Sequence, residues 1–315
     1  MGYFRPHPPL FAPEPYNDIY HPNDVPMPVR AETRELEARQ HPYLEYELNH
    51  MTGSLPDYRV LPRDGEFYDA DLRQMRATYY GLISKADMFL GRIIAQLKES
   101  GTYDRTLIVV TSDHGTQLGD HWMFSKRGYF DQSFHVPMIV RDPRNAADAG
   151  RGRRIDVFTV SVDVMPTILD WLGLDVPRQC DGWSLLPFCH GDSPVWRDAA
   201  HWEYDFRDVT DSAMEQALGL EMDRAGLSVI RDRRYKYVHF AGLPPLFIDR
   251  EADPHEFRNL AEDPNYASRV LSYAQKMLSW RMVNDDRSLT GIKVTEDQGP
   301  ISRDDGRPAE TAPLL

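Results

Sequence analysis

The sequence predicts an α/β protein carrying a smaller antiparallel α+β subdomain. Three features predict it: a long stretch with apolar residues at helical spacing, two short apolar runs without alternation, and a change of texture near residue 200, where strand-like runs flank a charged turn. The 315 residues, 41% of them hydrophobic, can bury a sizeable core, and the length suits about two domains.

Residues 1–28 hold eight prolines, which excludes regular helix or a central strand and predicts an extended connection. A polar segment follows, through residue 68. Leu72, Met75, Tyr79, Leu82, Ile83, Ala86, Phe89, Leu90, Ile93, Ile94 and Leu97 then recur at helical spacing, with Asp69 or Asp71 placed to cap the helix and Gly101 to end it. Thr106 to Thr111 and Val136 to Val140 are continuous apolar runs of the kind buried on both faces of a parallel sheet. Residues 163–172 make the next helix, with Asp163 as cap, Pro166 in the first turn and Gly173 as stop. Beyond residue 200, Leu227 to Arg231 and Tyr235 to Phe240 form a hairpin, Leu246 to Ile248 adds a third strand, and residues 264–281 form a packing helix. The stretch from about residue 286 is rich in Pro, Asp and Gly and is expected to be loosely held.

A formal charge of −13 repels nucleic acid and anionic lipid, and the basic clusters at 151–154 and 231–236 are short and set in acidic sequence. Neither nucleic acid nor a membrane is expected as a partner. No apolar run reaches the roughly 20 residues of a membrane span, and no signal-peptide pattern opens the chain, so the expected location is cytoplasmic. Cys180 and Cys189 lack metal-finger spacing and read as reduced structural thiols.

The densest chemistry lies in TSDHGTQLGDHWMFSKRG at 111–128, directly after an apolar strand. In open α/β sheets functional groups collect where strands end, which is where Asp113 and His114 sit. Neighbouring strand residues point to opposite faces, so these two converge only if the chain leaves the strand between them, and Gly115 makes such a turn cheap. Two readings stand level on these residues alone: a carboxylate and an imidazole sharing a divalent ion, or a loop cap beside a backbone-bonded histidine. Asp120 and His121 divide equally between supporting such a site and simple surface polarity. His135, before Val136-Pro137, reads as structural.

Other segments narrow the choice. RPHPPLFAPEPY at 5–16, VVTSDHGTQLGDHWMFSK at 109–126, VDVMPTILDWLGL at 162–174 and LFIDREADPHEFRNLAEDP at 246–264 together resemble the sulfatase family of the alkaline phosphatase superfamily. MLSWRMVNDDRSLT at 277–290 is similar to its phosphonate monoester hydrolase branch. The resemblance implies the C-terminal part of an αβα sandwich: residues 1–175 with the Pro-rich loop at 1–28, a small subdomain at 176–285, and a tail at 286–315.

It also implies metal-dependent hydrolysis of phosphonate, phosphate or sulfate esters of a small-molecule substrate. Asp113 and His114 would hold a divalent ion (Mn, Zn, Ca or Mg), Lys126 would grip the substrate oxyanion or ester oxygen, and His7 would serve the leaving group. The family's nucleophile, a formylglycine made from Cys in a Cys-x-Pro/Ala-x-Arg context, has no counterpart: Cys180 precedes Asp-Gly-Trp-Ser and Cys189 precedes His-Gly-Asp-Ser. The expectation is a chain that carries metal, lysine and histidine but relies on a missing N-terminal part, and that forms a homo-oligomer or joins that part. The alternative is a non-catalytic partner of a full-length homologue.

Overall fold

A computed structural model describes residues 2–50, 66–177, 179–208, 210–284, 292–295 and 299–302. It divides into two compact units, Met1–Ala267 and Ser268–Leu315. Among the described residues no helix is long and apolar enough to cross a membrane.

In the first unit the proline-rich stretch runs without strand or α-helix, interrupted only by a short turn of 3-10 helix at Pro22–Asp24. Two helices that the sequence pattern did not reveal follow, α1 (Arg34–Ala38) and α2 (Pro42–His50). Thr33 caps α1 by accepting the Leu36 N–H at 3.2 Å.

The long helix α3 (Glu66–Glu99) confirms the apolar spacing. Neither Asp69 nor Asp71 caps it, however, because the helix starts at Glu66 and Asp69 instead forms an ion pair with Arg30 at 2.7 Å. Gly101 ends it as expected, in the left-handed conformation at φ +67°, while the Thr102 N–H returns to the Leu97 carbonyl at 2.9 Å.

The two apolar runs become β1 (Ile108–Thr111) and β2 (Met138–Arg141), separated by a four-residue helix, α4 (Asp131–Phe134). They do not form the expected parallel sheet buried on both faces. They pair with each other antiparallel, Ile108 opposite Arg141 and Thr111 opposite Met138, and their residues are half-buried or exposed. An unalternating apolar run reports what a strand can bury, not the direction of its neighbour.

Helix α5 (Val164–Trp171) ends at Gly173, φ +69°, as expected. Asp163 stands at its N-cap position but its carboxylate serves other partners: the backbone N–H of Val160 and Trp183 at 2.9 and 2.8 Å, and the Arg197 guanidinium at 2.6 Å. After α6 (Leu186–Cys189) come β3 (Ala200–Asp205), α7 (Ala213–Leu218), β4 (Gly226–Arg231), β5 (Tyr235–Phe240) and β6 (Leu246–Asp249). The expected hairpin and third strand are present, and β3 adds an edge to give an antiparallel sheet in the order β3-β4-β5-β6.

The deepest core lies on this sheet. Leu227, Val229, Val238, Phe240 and Leu246 pack with Tyr43, Leu44 and Leu48 of α2 and with Met123, Tyr129 and Phe130 from the loop between β1 and β2. The segment that ends in the candidate site is therefore anchored in the same core as the antiparallel sheet.

The second unit holds all but the first residue of α8 (Ala267–Asn284), together with β7 (Ile292–Thr295) and β8 (Gly299–Ser302), which pair antiparallel. The rest of the stretch beyond residue 286, expected to be loosely held, lies outside the described residues.

Candidate active site

Three of the residues singled out in the sequence meet where β1 ends, and the fourth joins them from the proline-rich segment. The His114 Nδ1–H donates to the Gly115 carbonyl at 2.7 Å, which leaves the Nε2 lone pair outward. That lone pair lies 2.6 Å from the Lys126 ammonium and 3.7 Å from Asp113 Oδ2. His7 repeats the arrangement, its Nδ1–H donating to the Pro8 carbonyl at 2.7 Å, and its ring stands edge-on to that of His114 with centroids 5.9 Å apart. Partial burial pushes the Asp113 carboxyl up, but His114, backbone N–H donors and Lys126 outweigh it and hold the group below its ordinary value. The carboxylate is exposed, with 87% of its side chain open to solvent, and so is Lys126.

Local packing sets this geometry. The Gly115 N–H donates to the Ser133 carbonyl at 2.8 Å, and a Cβ on Gly115 would meet the Gln132 carbonyl oxygen at 2.0 Å. Only glycine lets α4 come this close to the turn that separates Asp113 and His114 from the strand.

The stretch from there to Lys126 is wound tightly. Leu118, His121, Trp122 and Ser125 all take positive φ, between +46° and +65°, a conformation that costs non-glycine residues about 1–2 kcal/mol each. Residues 29–37 and α3 hold it in that shape. Asp120 accepts the Val29 N–H at 2.6 Å, the His121 N–H donates to the Val29 carbonyl at 2.8 Å, and Arg76 donates to the Leu118 carbonyl at 3.0 Å. The buried His121 imidazole pairs with the buried Glu37 at 2.5 Å and stacks on Phe130. Asp120 and His121 thus support the loop rather than decorate a surface. Burial raises the Asp120 carboxyl above its ordinary value despite the Val29, Arg76 and His121 contacts. His135 is exposed.

His7 is positioned by contacts that the sequence did not advertise. Arg5 donates to the carbonyls of His7, at 2.9 Å, and Pro9, which folds the loop around the imidazole. Tyr3 stacks on Phe89 of α3, Tyr20 reaches Ser84 at 2.9 Å, and the Tyr16 carbonyl passes so close to Gly81 that a Cβ there would sit 1.9 Å from its oxygen. A glycine inside a strong helical pattern is the one signal that could have flagged this crossing.

Asp113 and His114 together suit two positions of a divalent-ion site, a carboxylate oxygen and an imidazole nitrogen whose other nitrogen is fixed by a carbonyl. Among the described residues no group of three or more His, Cys, Asp or Glu is placed to complete such a site. Both cysteines are free and half-buried.

A strand-end carboxylate and imidazole thus stand beside an ammonium and a second imidazole on an α/β frame. The chain belongs to the sulfatase family, whose model matches residues 2–174, while the model for the C-terminal region of N-sulphoglucosamine sulphohydrolase matches residues 119–283. It is 47% identical over 304 residues to the multifunctional alkaline phosphatase superfamily protein PehA of Trinickia caryophylli, covering 96% of this chain and 59% of that protein. An arylsulfatase of Clostridium perfringens is 28% identical over 88% of this chain and 52% of its own length.

Among solved structures, the phosphonate monoester hydrolase of Agrobacterium radiobacter superimposes with a TM-score of 0.85 at 46% identity, covering 95% of this chain and 59% of that one. The phosphonate monoester hydrolase of Silicibacter pomeroyi gives 0.87 at 38% identity, covering 96% and 58%. The chain thus spans about three fifths of the length of these relatives.

Proposed function

We propose that this chain carries part of the machinery for metal-dependent hydrolysis of phosphonate, phosphate or sulfate esters. The observation that supports the reading best is the convergence of His7, Asp113, His114 and Lys126, drawn from two distant segments, into one cluster. Asp113 and His114 would hold a divalent ion, which when bound would supply a Lewis acid for the tetrahedral centre. Lys126, now resting on the His114 lone pair, turns to the anionic oxygens of the substrate and stabilises the charge that develops there. His7, its ring oriented by the Pro8 carbonyl, takes up a proton at its Nε2 lone pair and, as the imidazolium, delivers it to the departing oxygen. The covalent nucleophile comes from polypeptide outside these 315 residues, because neither cysteine has the sequence context that the family converts to formylglycine.

An association partner is part of this reading. Met165 and Ile168 on α5 and Leu172 at its C-cap recur at helical spacing and stand exposed, as do Val162, Leu174 and Val176 in the flanking chain and Ile139 on β2. Apolar surface of this kind favours burial against another chain or copy over contact with water. The same surface is what a non-catalytic subunit would use, so the two readings part at the chemistry.

The test uses an active assembly that contains this chain. Asp113→Ala is expected to lose metal and turnover together. His7→Ala is expected to keep the metal and to lose far more rate on esters with poor leaving groups than on activated aryl esters. Wild-type turnover in the Asp113→Ala variant would sink the catalytic reading and leave the subunit reading.

A further inference from the structure

The carboxylate that best explains why the site holds its shape lies outside it. Asp131, the first residue of α4, sits one and two positions before the Gln132 and Ser133 carbonyls that seat Gly115. Its Oδ1 lies 2.9 Å from the Lys236 ammonium, and its Oδ2 lies 3.1 Å from Arg231 and 3.0 Å from Arg250. Lys236 is fully buried and also bonds Glu256 at 2.6 Å and the Tyr129 carbonyl at 3.2 Å, while Arg250 reaches the other Glu256 oxygen at 3.0 Å. Three cations from the antiparallel sheet and its exit thus converge on two carboxylates, and one of those carboxylates belongs to the segment that clamps the site turn. A buried lysine needs these partners, since removing one leaves an uncompensated charge in a place water does not reach.

We propose that Asp131 is a positioning residue for Asp113 and His114: its tether to Lys236, Arg231 and Arg250 holds α4 against Gly115 and so fixes the turn that brings the two side chains together. The proposal rests on the metal-site reading for its functional meaning, but the mechanical link can be measured without it. It also accounts for the charge of Asp131, which a simple helix-cap role would not require.

The experiment follows deuterium uptake of the 113–118 peptide in the full 315-residue chain, together with the rate at which diethyl pyrocarbonate modifies His114, with His50 as internal reference. Asp131→Asn should speed both readouts about tenfold or more, while the 226–240 peptide of β4 and β5 keeps its protection. Because a buried, unpaired Lys236 could compromise folding, a second variant, Asp131→Ala with Lys236→Met, removes one charge of each sign. It should recover the thermal midpoint yet leave the 113–118 peptide and His114 loosened.

Unchanged uptake and reactivity in both variants would overturn the proposal, as would recovery of the wild-type site in the double variant. Added Mn2+ gives the independent arm. If it fails to protect His114 in the wild type while the Asp131 variants still loosen the turn, the positioning role stands and the metal reading falls.

Discussion

Gly115→Ala is the most direct probe of how the site is built. The new methyl would lie 2.0 Å from the Gln132 carbonyl oxygen, 3.1 Å from the Gln132 carbonyl carbon and 3.4 Å from the Ser133 carbonyl carbon. Reaching ordinary contact requires the turn and α4 to part by at least about 1 Å. The Gly115 N–H···O=C Ser133 bond, 2.8 Å in the native protein, would then stretch past hydrogen-bonding distance. Leaving those two groups poorly paired costs about 1–3 kcal/mol. Overpacking adds about 1–3 kcal/mol, for a total of about 2–6 kcal/mol.

Gly91→Ala is the control, because Gly91 lies within α3 and a methyl there would meet no atom within 4 Å, so alanine should stabilise the helix by up to about 1 kcal/mol. Urea midpoints followed by tryptophan fluorescence at one protein concentration would compare the two. If Gly115→Ala unfolds at the wild-type urea concentration, the clamp between the turn and α4 does not hold the site and the reasoning fails.

Gly81→Ala should lift the proline-rich segment from α3, since its methyl would collide with the Tyr16 carbonyl, and chymotrypsin should then cut after Phe11 and Tyr20 several times faster than in the wild type; unchanged cleavage would contradict the crossing. Asp131 should contribute to acid resistance. Burial pushes its carboxyl up, but Lys236, Arg231 and Arg250 bring it down to about 2, against an ordinary value of about 3.9. Its contribution, about 2 kcal/mol, is therefore fully present above about pH 4 and is lost as the pH falls through about 2, and Asp131→Asn should flatten the stability curve in that window. The 315-residue chain expressed alone should hydrolyse no aryl sulfate, phosphate diester or phosphonate monoester above background with Mn, Zn, Mg or Ca, and should associate in light scattering; a monomer with turnover abolished by Asp113→Ala would reveal a nucleophile within it.

Periodicity and turn chemistry made much of this fold legible. The spacing of Leu72 to Leu97, the Gly101 and Gly173 stops and the paired runs around Arg231 to Tyr235 encode local structure, and local structure is what appears. The direction of pairing between β1 and β2 was not legible, because partner choice depends on where the intervening loop returns the chain. α1 and α2 were missed for a related reason: they are short, and are held by tertiary contacts such as Glu37 with His121 and Tyr43 with the sheet core.

For the candidate site, Asp113 and His114 stood out by their place at a strand end, whereas His7 and Lys126 gained meaning only from family resemblance. Asp131, Lys236 and Glu256 carried no signal. Their importance comes from burial and mutual charge, which are properties of the folded arrangement.

The left-handed residues Leu118, His121, Trp122 and Ser125 bear on what can be transplanted. A loop in which several residues take conformations that L-amino acids resist keeps its outline only inside a mould, and here Val29, Glu37 and Arg76 are the mould. Copying residues 111–128 into another scaffold would carry over the letters of the motif and not its shape. The smallest portable unit is the casting together with its mould. Variation at position 37 or 76 should therefore shift the placement of Lys126 although neither belongs to the motif, whereas Val29 acts through its backbone.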